Sequence, residues 1–187
     1  RIIDSAAKEA ENKKKEEMDK LFLLTLEKGK ELSKIRQSLS NKIEKELERS
    51  LNDLLLKAKF KIMFAPTEKE DDSIFLESGI DKIDFLIETN VGEGLKSLSK
   101  IISGGEASRI MLAFKSLFIK ANKVPTVIFD EIDTGISGET AQAVARKIKE
   151  ISLSTQVISI THMPQVASLS DHHILISKII KDGRTYA

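Results

Sequence analysis

Three short segments carry residues able to do chemistry. In Val127-Ile128-Phe129-Asp130-Glu131 an apolar run beginning at Thr126 ends in two adjacent carboxylates. A buried strand with acids at its C-terminal end puts them where ligands bind in open α/β sheets. An Asp there can hold a magnesium ion through water, and an adjacent Glu can orient or deprotonate an attacking water. The bland alternative is a strand ending in a solvated acidic turn. Against it stand a third carboxylate, Asp133, and Thr134-Gly135-Ile136-Ser137-Gly138, a glycine-bearing approach to a helix.

The second segment, Val157-Ile158-Ser159-Ile160-Thr161-His162, is again an apolar strand with its polar residues at the C-terminal end. A lone histidine is more often structural than functional, but two strands of one parallel sheet ending in Asp-Glu and in His bring those ends to one edge. Pro164 suits the first turn of a following helix. The third segment, Ser103-Gly104-Gly105-Glu106, reads as a capping box in which Ser103 and Glu106 satisfy orphan amides. It also reads as a helix start whose two glycines bare backbone amides to an anionic phosphate. Both can hold. His172 and His173 beside Asp171 suggest a metal, but with no second cluster at ligand spacing a surface turn is the better reading.

Composition narrows the classes. With 187 residues, 41% hydrophobic and 32% charged, the chain can bury a core, and one domain plus an appendage is expected. A net charge of +1 gives no bulk pull toward nucleic acid or anionic membrane. The absence of Cys excludes a disulfide framework, a thiolate zinc site and a cysteine nucleophile. No apolar run approaches the ~18 to 20 residues of a membrane span, nor is there a signal peptide's apolar stretch at the start. A cytosolic protein is expected, and a chain opening on Arg1 rather than Met is expected to be a fragment.

These segments need elements to position them. Residues 1–59 hold 15 Lys/Arg and 12 Asp/Glu, the remainder 15 and 17, so the first third is a different kind of object. It has no Pro and one Gly, and Leu32, Ile35, Leu39, Ile43, Leu47, Leu51 and Leu54 form a one-sided helical stripe. Its mean step of about 3.67 is an eleven-residue periodicity, which predicts a nearly straight or slightly right-handed packing. Residues 1–28 read as helix too, with Glu11 to Lys20 solvated. Beyond it, alternation predicts a strand from Phe60 to Phe64 that stops at Pro66, a polar loop Thr67–Ser73, a strand Lys82–Thr89 and a loop Asn90–Ile102. A helix Gly104–Lys120, a strand Thr126–Phe129, a helix Gly138–Ser152, a strand Gln156–Ile160, a short helix after Pro164 and a strand His173–Ser177 follow, which implies right-handed crossovers and a parallel sheet. Lys181-Asp182-Gly183-Arg184 signals a hairpin.

Taken together, the three segments resemble the signature motif, Walker B and switch histidine of the ABC ATPase superfamily, in the right order. The longer strings Ile102-Ser103-Gly104-Gly105-Glu106-Ala107-Ser108-Arg109, Phe129-Asp130-Glu131-Ile132-Asp133-Thr134-Gly135 and Ile160-Thr161-His162-Met163-Pro164-Gln165 resemble bacterial RecN, the SMC-like ATPases of DNA double-strand-break repair. The resemblance runs from about Leu32 to Lys178. It implies an α/β fold, the C-terminal part of an ABC/SMC-type head with parallel strands and flanking helices, preceded by a long coiled-coil-derived helix. Residues 1–57 would be the coiled-coil stub and head-proximal helix, and 58–187 the head half. It implies ATP and Mg2+ as cofactors, Asp130 on the magnesium side, Glu131 polarising the attacking water and His162 at the γ-phosphate. Ser103, Gly104, Gly105 and Glu106 would form the signature loop that meets ATP held by a second head. Asp133, Gly135 and Ser137 would lie in the D-loop at that same interface. DNA, a second identical head and the N-terminal half of the same head are the implied partners, with no membrane, in a cytoplasmic, nucleoid-associated protein of DNA repair and recombination.

One departure matters: none of the nine glycines begins a Gly-x-x-x-x-Gly-Lys-[Ser/Thr] sequence, so the phosphate cradle is absent. In proteins of this kind it lies in an N-terminal half beyond an antiparallel coiled coil. The chain therefore reads as half of a split head, inactive by itself. Two other readings compete: a metal-dependent phosphoesterase using Asp130, Glu131, Asp133 and His162, and a non-enzymatic assembly module built on the long helix.

Overall fold

The computed structural model describes residues 2–65, 74–90, 92–100, 104–181 and 184–186. Its first element, α1, is a 52-residue helix, Ile2–Asp53. The apolar stripe is exposed by 38% to 57% at Leu32, Ile35, Leu39 and Ile43 and fully buried at Leu47, Leu51 and Leu54. The chain divides into two compact units, Arg1–Glu48 with Ala58–Lys100, and Arg49–Lys57 with Ile101–Ala187.

In the first unit β1 (Lys59–Ala65) pairs antiparallel with β2 (Lys82–Glu88) over its whole length, from Lys59↔Glu88 to Ala65↔Lys82. The two-residue β3 (Lys96–Ser97) adds to β2, and a 3-10 turn, Leu98–Lys100, follows within what the sequence presents as loop. Phe60 is fully buried and stacks on Phe85 with ring centroids 5.9 Å apart. The edge of β1 is closed by carboxylates of α1. Glu48 accepts the Phe60 N–H at 2.9 Å, and Glu44 accepts the Ile62 N–H at 2.9 Å and the Lys61 ammonium at 2.7 Å. Glu44 and Glu48 lie four residues apart on one helix face and so match alternate outward N–H groups of a strand. The segment before β2 is held on α1 by Arg36, which donates to Asp81 at 2.8 Å and to the Ser78 carbonyl at 2.6 Å. The predicted loop Thr67–Ser73 lies outside the described residues.

The second unit opens with the end of α1. The Leu55 N–H bonds to the Asn52 carbonyl and the Leu56 N–H to the Leu51 carbonyl, the pattern that ends helices on a left-handed residue. Here that residue is Leu55, at φ +56, where glycine is usual. Then come α2 (Gly104–Asn122), β4 (Thr126–Asp130), α3 (Gly138–Ser152), β5 (Gln156–Ile160), α4 (Pro164–Ala167) and the hairpin strands β6 (Ile179–Lys181) and β7 (Arg184–Tyr186). Strands β4 and β5 pair in parallel, Thr126↔Gln156 to Asp130↔Ile160. Ala141, Val144, Ile148 and Ile151 of α3 are buried at helical spacing. The expected strand His173–Ser177 does not form. Residues 173–178 carry no regular structure, Ile174, Leu175 and Ile176 are 78% to 85% exposed, and pairing begins only at Ile179. A strand exists through its partner, and apolar alternation cannot supply one. No helix among the described residues is long and apolar enough to cross a membrane.

Candidate functional site

The parallel register carries the site. Asp130 ends β4 opposite Ile160, which ends β5, and the ladder runs one step further through the Glu131 N–H, 3.0 Å from the Ile160 carbonyl. Glu131 itself is in the left-handed region at φ +48, a conformation that costs a non-glycine residue about 1–2 kcal/mol and clusters at functional positions. It starts a tight turn closed by the Thr134 N–H on the Glu131 carbonyl at 3.0 Å. Both Asp130 and Glu131 are exposed, and so is His162, two residues past the end of β5. Two carboxylates and an imidazole thus share one strand-end edge.

Asp133 behaves differently from its neighbours. It is 1% exposed, and its Oδ2 accepts the Thr161 hydroxyl. Its Oδ1 has no hydrogen-bond partner among the described residues. The Thr161 hydroxyl oxygen in turn accepts the Met163 N–H at 3.0 Å. Ser137 is extended at φ −154 and ψ 171 ahead of α3 and makes no side-chain cap.

The start of α2 meets the same turn. A Cβ on Gly105 would stand 2.9 Å from the Gly135 carbonyl oxygen, closer than real contacts allow, so only glycine permits this backbone approach. Gly135, at φ +76, is the other half of it. Gly104 is exposed with open space before it, and Glu106 is half-buried in the first turn. Ser103 lies outside the described residues. Arg109, four residues on from Gly105, donates to the carbonyls of Gly105 at 3.2 Å, Leu54 at 3.3 Å and Leu55 at 3.1 Å. It joins the signature-like helix to the end of α1.

This geometry has counterparts among known proteins. The DNA repair protein RecN of Bacillus subtilis is 43% identical over 182 residues, which cover 91% of this chain and 32% of that protein. RecN of Halalkalibacterium halodurans is 44% identical over 154 residues, 82% of this chain and 27% of that one. The chain belongs to the RecN family. It spans about a third of the length of the RecN proteins it matches. No protein-family model matches it. Among solved structures, an Smc head domain with a coiled coil and joint derived from Pyrococcus yayanosii superimposes with a TM-score of 0.63 at 22% identity, covering 96% of this chain and 32% of that one. The fold is that of the C-terminal part of an SMC-type head.

The phosphoesterase reading loses its basis, because the described residues contain no group of three or more His, Asp or Glu side chains able to hold a metal. Sequence reasoning passed over Thr161 and Arg109. The Gly105-to-Arg109 spacing of one helical turn was a usable signal for the second. Nothing local marks Leu55 as a helix stop.

Proposed function

We propose that the chain is the C-terminal half of an ATP-hydrolysing, SMC-like head acting in DNA double-strand-break repair and recombination, with residues 1–57 as coiled-coil stub and head-proximal helix and 58–187 as the head half. The observation that carries this is the strand-end edge. Asp130 and Glu131 are aligned by register with the segment bearing His162, and Glu131 is held in a strained turn. A single exposed carboxylate suits a magnesium ion that keeps most of its waters and takes its other ligands from phosphate. Asp130 is the residue to hold it, and magnesium with ATP would supply charge neutralisation and the phosphoryl group. Glu131 accepts a proton from water, and His162 donates a hydrogen bond to the transferred phosphate. Gly104, Gly105 and Glu106, with Gly135 and Ser137, form the edge offered to ATP on a second, identical head, and Ser103, outside the described residues, is assigned to the same contact by its place in the sequence.

The phosphate cradle must come from the N-terminal half, because triphosphate affinity depends on a ring of amides and a Lys for which this chain has no sequence. The isolated chain therefore neither binds ATP tightly nor hydrolyses it. DNA as partner and a cytoplasmic, nucleoid-associated setting are supported by the RecN relatives' role in DNA repair. In the full-length protein Glu131→Gln should preserve ATP binding, slow hydrolysis by at least ~100-fold and accumulate an ATP-closed head pair. Turnover at the parent rate in a phosphate-release assay would refute the assignment of Glu131.

A further inference from the structure

We propose that Asp133 and Thr161 form a latch that holds the loop bearing His162 against the turn bearing Glu131, which makes both of them positioning residues for hydrolysis. The inference rests on the ATPase reading above. The two segments are tied at matched points: Glu131 to Ile160 through the backbone, at 3.0 Å, and Asp133 to Thr161 through side chains. The Thr161 hydroxyl uses both of its capacities, donating to Asp133 and accepting the Met163 N–H at 3.0 Å, so the residues on either side of His162 are joined to each other and to the carboxylate. The exposed His162 side chain has no such tie among the described residues and takes its place from this frame.

Burial separates the latch from the reacting edge. Asp133 is 1% exposed, whereas Glu131, Thr134 and Gly135 around it in the same turn are exposed. A residue so enclosed acts through its neighbours. The bond is also a poor device for stability, because a buried carboxylate holding one hydroxyl, with its Oδ1 unpartnered among the described residues, costs more in desolvation than that bond returns. Geometry is what it secures, and hydrolysis is sensitive to a misplacement of about 1 Å, which can cost roughly 100-fold.

The test uses the full-length protein, with steady-state ATPase kinetics, nucleotide binding and thermal unfolding measured for Thr161→Val, Thr161→Ser, Asp133→Ala, Glu131→Gln and the Asp133→Ala/Thr161→Val pair. Thr161→Val keeps the shape and removes the hydroxyl. It also strands Asp133 and the Met163 N–H, so the unfolding temperature should fall, while kcat measured well below that transition should be about 10- to 100-fold lower with ATP affinity unchanged, and Thr161→Ser should restore kcat. The double variant should lose no more than the worse single one, as expected for two residues acting as a unit. Parent-like kcat in Thr161→Val while Glu131→Gln is slow would overturn the latch and leave the ATPase reading standing. Loss that Ser does not restore, or that is matched by an equal loss of ATP affinity, would overturn it as well, since that is the behaviour of a general loss of structure. No ATP turnover in the parent protein would overturn the ATPase reading, and normal turnover in Glu131→Gln would overturn the role of Glu131; the latch falls with either.

Discussion

The antiparallel sheet of the first unit and the parallel pair of the second meet the same requirement, that strand ends and edges find partners, in opposite ways. Along β1 the outward N–H groups of Phe60 and Ile62 are taken by Glu48 and Glu44, and the Phe60 ring is fully buried. At the end of β4 the chain accepts a left-handed Glu131, a buried carboxylate with a single partner, and exposed Ile128 and Ile158 on the strands. Between these two sheets, local rules hold along the edge of β1 and are broken at the strand end that is proposed to react, while left-handed Leu55 at the end of α1 shows that a helix stop can break them too.

The contrast can be broken or sharpened by substitution. Phe60→Ala should have the largest effect, removing ~3–5 kcal/mol of stability because the ring is fully buried and stacked, as read by chemical denaturation. Next comes Glu131→Gly, which relieves the left-handed backbone. Stability should hold or rise by up to ~1 kcal/mol while hydrolysis by the full-length protein falls at least ~100-fold. A loss of stability there would erase the contrast. Glu44→Ala should cost about 1–3 kcal/mol by stranding the Ile62 N–H and should increase self-association at the uncovered strand edge, measurable by sedimentation. The smallest effect is acidic. The Gly92 N–H above all, then the Gly94 N–H and Lys59, hold the Glu88 carboxyl below the usual glutamate range. The unfolded chain binds that proton more readily, so Glu88 adds stability above the ordinary glutamate value that is lost as pH falls through its lowered one. Glu88→Gln should flatten that acid limb of a denaturation profile.

Much of this architecture was legible because it is local. The bounds of α3 and β5 follow from the 3.6-residue spacing of Ala141, Val144, Ile148 and Ile151 and from an apolar run closed by Thr161. The placement of Asp130-Glu131 and His162 at strand ends followed from the same periodicities and the parallel topology. What stayed hidden depends on residues far apart. Thr161 lies 28 positions from the carboxylate it bonds, so no window shows that Asp133 is buried. The stop of α1 is hidden as well, because Leu55 adopts the conformation that glycine would advertise. The segment from His173 to Ser177 reads as a strand because its own residues suit one, yet no neighbour among the described residues pairs with it.

Arg109 also bears on the order of folding. Its donors reach carbonyls 54 and 55 positions earlier in the chain, so the clamp closes a loop that contains the whole antiparallel sheet. Closing a flexible loop of that length costs about 3.5 kcal/mol by the (3/2)RT ln n scaling, a large part of what the two hydrogen bonds that span it return at about 1.5–3 kcal/mol each for a charged donor. Once β1 and β2 have paired through their register, the intervening chain is shortened and most of that entropy has already been spent. The clamp between the two stretches of the second unit therefore closes at lower entropic cost once that sheet has formed, so slow pairing of β1 with β2 delays the site's assembly even though no residue of that sheet belongs to it.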